Sequence, residues 1–585
     1  MVFHHERLNT IHQEVPFLHK GHFFFSKIHT TLFYTKNMKL FHTFILAFVA
    51  IAAQAEPIDT VHALRIAQRV FRQVQPLSQA SAQMSSTAPT YYIFTPTTGA
   101  GFVIVSGDDS MSPVLAYSEH ATARSEADIP TTLQLYLDAY KTHVNEVRAS
   151  GIHSKQYHAN GVSKGTPVVE PLLTCTWNQT SPYNTLCPQN SAVGCVATAM
   201  SQIMYYWKWP LQGKRSMSYT TGSGIDLYVD FSESTYNWDD ATDVLNSSSP
   251  QEAKDVIAKI SYDCGVATKM EYGTDGSGTH SDLAKKAFYT YFGYKASGVD
   301  LRYRDCVNTP EEWFSIIKTE LDAGRPVFCA GNDGSTTGHA FVLDGYDTEG
   351  FLHVNWGAGG DYDGYYSPEV LDPGPYVFSF DQRIIYGMEP DRDGKDITPK
   401  QTRIYAECPP YIRKSSVKKT AQFSISVDSI WNKTSEMKNF DIAIVLYDLN
   451  GEILEVVSRS TDRLNLPPWT GYPEYGTLNC RLREAHDDGN YMLRLMFKEL
   501  GYNDWVLPDM VGGDSRNIIP AYLEGDNLYF NQYSAGIEAP AETATVMAHD
   551  YYDLSGRQVQ KPTTGIVIDH QTLSNGKKVV KKVRF

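Results

Sequence analysis

An α+β chain of several domains is the fold class this sequence predicts. Three observations lead there. With 585 residues the chain exceeds what one hydrophobic core sustains. Between residues 165 and 390 helical periodicities come first and strand-like runs second, the order expected of an α+β domain with segregated layers. Beyond residue 400 the apolar residues alternate or cluster in short runs, so that region reads as all-β.

The elements follow in order. Residues 1–37, rich in His, Phe and Lys, fit neither a leader nor a domain and read as an upstream extension from a start codon placed too early. From Met38, Lys39 supplies a basic start, Phe41 to Ala52 an apolar core and Ala53-Gln54-Ala55 a small-residue cleavage pattern, so 38–55 is expected to be a signal peptide. That apolar run is shorter than the ~20 residues a spanning helix needs, which argues against a stable membrane span. A net charge of -15 argues against nucleic acid as a partner.

Residues 56–160 form a small α+β unit. "TVHALRIAQRVFRQV" repeats its apolar residues at helical spacing, "TYYIFTPTTGAGFVIVSGDDSMSPVLAYS" reads as strands around a Gly-bearing turn, and "TTLQLYLDAYKTHVNEV" is a second helix. The polar stretch "SKQYHANGVSKGTP" follows as a protease-accessible linker. Within 165–390, helices are expected after Cys195 and at "QEAKDVIAKISYDCG", "HSDLAKKAFYTYFG" and "EEWFSIIKTELDAG". Strands are expected at "RPVFCAG", "HAFVLDGYD", "FLHVNWGAGG" and "DGYYSPE". Residues 400–535 read as a β-sandwich with a hairpin turn at Asn450-Gly451, and 545–585 as short strands ending in a basic tail.

Eight cysteines are scattered without a zinc-type spacing, and export permits disulfides; Cys175 and Cys187 are close enough in sequence to pair, though spacing does not fix connectivity. Cys195 stands apart. It follows Gly194 at the head of an apolar stripe made by Val196, Ala199, Met200, Ile203 and Trp207, and a helix N-terminus favours a thiolate. Position alone favours a buried structural cysteine, since free Cys is usually inert core. As a nucleophile it must stay unpaired and needs an imidazole in reach. His339, after Thr337-Gly338 and before a strand, sits at a strand mouth, whereas His280 lies in a Gly/Ser loop and His353 within a strand. Asn355 could orient an imidazole and Trp356 shield it, but neighbours on a regular strand face opposite ways unless the chain bulges. For a side-chain oxyanion donor the sequence offers Gln179 and Gln189, beside the backbone N–H of Cys195. Asp361 with Asp363, and Asp391 with Asp393, are fragments of a calcium loop that complete no ligand set, so no metal and no cofactor is expected.

Taken together, "NQTSPYN", "AVGCVATAMSQIMYYW", "KMEYGTDGSG", "GHAFVLDGYD" and "HVNWGAGG" resemble, in order and surroundings, the streptopain family of secreted cysteine peptidases, a branch of the papain-like superfamily, over roughly residues 60 to 390. The resemblance implies a papain-like peptidase domain, with Cys195 as nucleophile, His339 as general base and later acid, Gln179 as oxyanion donor, Trp356 lining the site and Asn355 as a supporting residue. Gln189 then gives way to Gln179. Ala358 departs from the family's usual "NWGWGG", which bears on the shape of a loop beside the cleft. "GFVIVSGDDSMSPVLAYS" resembles the family's propeptide, which blocks the cleft until cut away, here between about Ser154 and Val168. Residues 545–585 are similar to sorting domains of the type IX export system, implying that machinery as a partner. The expected protein is therefore a secreted or surface cysteine endopeptidase, made as a zymogen, with protein or peptide substrates and its own propeptide as inhibitor. Two other readings stay open: an amidase or acyltransferase on cell-wall peptides, and an adhesin whose peptidase unit has decayed.

Overall fold

A computed structural model of the chain describes residues 57–77, 88–123, 125, 129–150, 164–273, 276–332, 338–371, 382–459 and 463–532, and the strands Val546–Tyr552, Gln558–Val559, Ile566–Leu573 and Lys578–Arg584. The expected upstream extension and signal peptide, and most of the processing segment, lie outside the described residues.

Helix α1 (Thr60–Val70) begins where the Asp59 carboxylate accepts the His62 N–H at 2.7 Å, and it buries Ala63, Ile66, Ala67 and Val70. That one-sided stripe packs on the strands β1 (Val74–Pro76), β2 (Tyr91–Pro96), β3 (Phe102–Ser106) and β4 (Val114–Ser118). Helix α2 (Thr131–Ser150) covers their other face with Leu133, Tyr136, Leu137 and Tyr140.

The next region runs through β5 (Pro167–Val169), α3 (Cys195–Trp207), β6 (Ser216–Thr220), β7 (Asp226–Asp230), α4 (Gln251–Ala267), α5 (Asp282–Thr290), β8 (Asp300–Tyr303) and α6 (Pro310–Asp322). It finishes with β9 (Val327–Asn332), β10 (Gly338–Asp347), β11 (Leu352–Asn355), β12 (Gly364–Tyr366), α7 (Pro368–Leu371) and β13 (Arg383–Tyr386). The expected helices α3 to α6 precede the expected strands β9 to β12, as the periodicities indicate, but β5 stands ahead of them, and the β6–β7 hairpin and β8 are interleaved with them. One feature lies beyond sequence periodicity: the N-terminal strands are no separate body. A single sheet runs β1-β2-β3-β4-β12-β11-β10-β9-β13-β8, because β4 pairs antiparallel with β12 through Tyr117↔Tyr365 and Ala116↔Tyr366. Alternation along β10 divides the cores: Ala340 and Val342 face α3 and α4, whereas Phe341 and Leu343 face α2 and α6.

From Tyr405 to Phe530 the chain is β-structure, a seven-stranded and a four-stranded sheet closing over Ile425, Val427, Ile442, Ile444, Leu493 and Leu495. The expected hairpin turn is present; Gly451 takes φ +91° and the Asp448 N–H bonds the Glu452 carbonyl at 3.1 Å. This region is joined to the preceding one by an apolar contact, Tyr405 and Trp431 packed against the peptidase core, and by a cluster of charges. Arg302 pairs with Asp509 and, at 3.4 Å, Asp514; Arg403 pairs with Asp509 at 2.8 Å and Asp300 at 3.5 Å. Burial alone would raise the Asp300 carboxyl, yet Lys285, Arg403 and Lys400 hold it well below the usual carboxylate range.

Candidate active site

The site starts from a glycine. Gly194 takes φ +90°, and a Cβ there would lie 2.7 Å from the Met270 sulfur, so both backbone and space demand glycine. The α3 N-terminus opens there without a side-chain cap, and the N–H groups of Cys195 and Val196 turn toward the Cys195 sulfur. Gln179 reaches the same place through the main chain: its carbonyl accepts the Val193 N–H at 2.9 Å.

The second element is β10. Its first residues pair as His339↔Gly331 and Ala340↔Ala330, and the Ala340 N–H, next to His339, reaches the Cys195 sulfur. Cys195 and His339 thus line one open cleft of about 820 Å³. Cys195 is unpaired, as are the other seven cysteines, Cys175 and Cys187 included.

The electrostatics of this form run against the thiolate expected from helix position. Burial raises the Cys195 thiol, and the three backbone N–H groups offset that only in part; burial likewise lowers His339. Both groups are therefore held neutral. His339 Nδ1 is buried and has no hydrogen-bond partner among the described residues.

The remaining expected residues divide. Asn355 does not orient the imidazole in this form: its Oδ1 accepts from Gln202 Nε2 at 2.9 Å and Gly357 N at 3.0 Å, and its Nδ2 donates to the Cys175 carbonyl at 2.8 Å. The amide instead fastens α3 to β11. Trp356 points the other way, as strand alternation requires, into the core shared with the N-terminal unit. Its ring lies 4.9 Å from Phe341 and 6.0 Å from Tyr136 of α2, and its Nε1 donates to the Tyr362 carbonyl at 3.1 Å. Gln189 is exposed with φ +55°. His353 lies away from the cleft and bonds Asp344 through Nδ1 at 2.6 Å; burial opposes its charge, but the Asp344 carboxylate raises it overall. Ala358 packs beside the same core as Trp356.

The N-terminal unit was expected to block the cleft, yet among the described residues it contributes nothing to the cleft's lining. The apolar face of α2 finds Phe341 and Trp356 instead, on the far side of β10. Sequence reasoning also missed one wall. His280 lines the cleft after all, its ring tilted against Trp469 of the β-sandwich at 4.6 Å. The signal was "LPPWTGYPE", a bulky aromatic inside a proline- and glycine-rich turn.

Against this geometry the relatives are informative. The Peptidase C10 family matches residues 177–366, and the Spi protease inhibitor family residues 55–144. Streptopain of Streptococcus pyogenes serotype M28 (strain MGAS6180) is 31% identical over 334 residues, covering 51% of this chain and 80% of streptopain. The chain belongs to the streptopain family of cysteine peptidases. This streptopain-family chain is also 31% identical over 408 residues to the thiol protease/hemagglutinin PrtT of Porphyromonas gingivalis; that match covers 62% of the chain and 46% of PrtT, so the chain spans less than half of that relative. Among solved structures, a prointerpain A fragment of Prevotella intermedia matches at 30% identity, covering 55% of this chain and 99% of the fragment with a TM-score of 0.46. Active interpain A, a cysteine protease of the same organism, matches at 35% identity over 38% of this chain and 94% of its own, with a TM-score of 0.35.

Proposed function

We propose that this chain is the zymogen of a secreted cysteine endopeptidase in which Cys195 is the nucleophile and His339 the general base and acid. The observation that carries the reading is the convergence of the α3 N-terminus and the mouth of β10 on one cleft, with the Ala340 N–H on the Cys195 sulfur. In the active form the Cys195 thiolate attacks a peptide carbonyl, His339 protonates the leaving amine, and water releases the acyl-enzyme. The Cys195 N–H and the Gln179 side chain serve the oxyanion, each worth ~3 kcal/mol in the transition state. Trp356 and Asn355 support the site from either side of β11, Trp356 beside Phe341 and Asn355 by anchoring α3.

Residues 56–160 act as the inhibitory propeptide, 165–390 as the peptidase domain, 400–535 as an appended β-sandwich and 545–585 as a sorting region for export. The inhibition follows from the two faces of β10. While α2 grips Phe341 and Trp356, His339 stays neutral, with Nδ1 unpartnered among the described residues, and Cys195 stays a thiol. Cutting between about Ser154 and Val168 frees that grip.

The test is direct. Purified chain allowed to mature should cleave casein and bind an epoxide thiol inhibitor covalently, with both lost in Cys195→Ala and a fall in kcat of at least ~10⁴-fold. N-terminal sequencing of the active form should place its start after residue 150. Inhibitor labelling that persists in Cys195→Ala, or an active form that retains Tyr91 to Ser118, overturns the assignment.

A further inference from the structure

The β-sandwich reaches into the cleft. Pro468 and Trp469 stand among its lining residues with Cys195 and His339, and Trp469 lies against His280 with the rings tilted 30°. Trp469 is 39% exposed, a large apolar surface left uncovered at the rim of a cleft.

This aromatic is held in place. Asn432, 2% exposed, donates through Nδ2 to the carbonyls of Leu466 and Pro467 at 3.0 Å and of Glu436 at 2.7 Å, and its backbone N–H bonds the Thr470 carbonyl at 2.8 Å. One buried amide therefore ties the Trp469 turn to the 433–436 loop. That loop is tied in turn to the peptidase region: the Asp282 carboxylate accepts the Ser435 N–H at 2.8 Å and its hydroxyl at 2.9 Å, two residues beyond His280. The contacts close a ring from His280 through Asp282, Ser435 and Asn432 to Trp469 and back. Trp469 adopts φ +55°, a conformation costly for a bulky side chain and kept only where the surroundings enforce it.

We propose that Trp469 and His280 form a substrate subsite shared between the two domains, which takes a bulky apolar or aromatic side chain of an extended peptide lying in the cleft. The β-sandwich is then a specificity element of the peptidase. This rests on the peptidase reading above. A preformed aromatic surface gains its contact with a flat or branched side chain without first paying to order itself.

The experiment uses the full chain matured to its active form. Two substrates are compared, a short blocked fluorogenic peptide and a longer quenched peptide in which Phe is walked through successive positions. In Trp469→Ala the ratio of kcat/KM for the best long peptide over the short one should fall roughly tenfold, chiefly through KM, equivalent to ~1.4 kcal/mol of lost contact. Trp469→Phe should recover most of it, and His280→Ala should lower the same ratio. An unchanged ratio in Trp469→Ala, or an equal loss on both substrates, overturns the subsite. Should wild-type chain neither cleave nor take the epoxide inhibitor, the peptidase reading fails by itself. The subsite is then decided by affinity of the long peptide for chain freed of residues before 164, and equal affinity with Trp or Ala at 469 sinks it.

Discussion

The peptidase region carries two neighbours, and they are attached in different ways. On its N-terminal side the joint is main chain and hydrocarbon: β4 continues the sheet at β12, Tyr117 stacks on Tyr365 at 5.2 Å, and Tyr136 meets Phe341 edge-on at 5.7 Å. On its C-terminal side a charge cluster is added to the packing of Tyr405 on Tyr303, with Arg302 and Arg403 converging on Asp509, and Asp300 ringed by Lys285, Arg403 and Lys400. A sheet continued by backbone pairing depends on register and buried area, and gives way when its chain is cut and withdrawn. A buried charge cluster fixes orientation, because each partner must be met at a set angle. The first joint suits a part that leaves, and the second a part that stays to shape the cleft.

The largest expected effect lies at the charged joint. Arg302→Ala leaves Asp509, 5% exposed, without one of its two arginines and should destabilise the chain by ~3–5 kcal/mol, read as a lowered unfolding midpoint in guanidinium-free thermal scans. A loss under about 1 kcal/mol would mean the joint is not built on charge. Next is Tyr136→Ala, which removes the contacts to Phe341 and Trp356 and the hydroxyl that accepts from Gln382 Nε2 at 3.1 Å. It should cost ~3 kcal/mol. Faster maturation and faster epoxide labelling of Cys195 in the uncut chain would sharpen the contrast; unchanged labelling would weaken it.

Asp363 gives a pH test of the same side. Burial pushes its carboxyl up to about 7, and it accepts the Trp356 N–H at 2.8 Å. Below the ordinary carboxylate range both folded and unfolded forms hold the proton, so it costs nothing there. Between that range and about 7 only the unfolded form ionises, so stability falls as pH rises, by about 1.4 kcal/mol per unit, and the loss is complete above the folded value. Asp363→Asn keeps an oxygen for Trp356 and should flatten that decline in thermal scans between pH 5 and 8. The smallest effect is Tyr117→Phe, which removes a 2.6 Å bond to Asp347 while Gly165, Glu349 and Phe351 still donate to that carboxylate. It should cost ~1 kcal/mol in urea unfolding.

Local pattern made much of this legible. A glycine followed by the stripe Val196, Ala199, Met200 and Ile203 marks the head of α3, and a histidine before an apolar run marks the mouth of β10, because both signals are written within one turn or one strand. What stayed hidden depends on partners distant in sequence. Nothing around Tyr117 announces Tyr365. Asn355 looked able to serve an imidazole, since an amide's type says nothing of which neighbours will claim it, and Gln202 and Gly357 take its oxygen while the Cys175 carbonyl takes an N–H. Helix position suggested an ionised Cys195, but the sign of its shift is set by how much chain surrounds it. Trp469 was invisible as part of the cleft because it arrives from another domain.

The three residues of β12 have a second life. Once its outer neighbour is withdrawn, Gly364–Tyr366 becomes a bare selvedge, offering unmatched amides and carbonyls next to newly wetted rings at Phe341 and Trp356. Such a border invites strand addition by any extended stranger, and its brevity is what keeps the invitation small. In the maturation proposed above, one cut then does two things: it frees the chemistry, and it bares a short sheet border that the precursor covers.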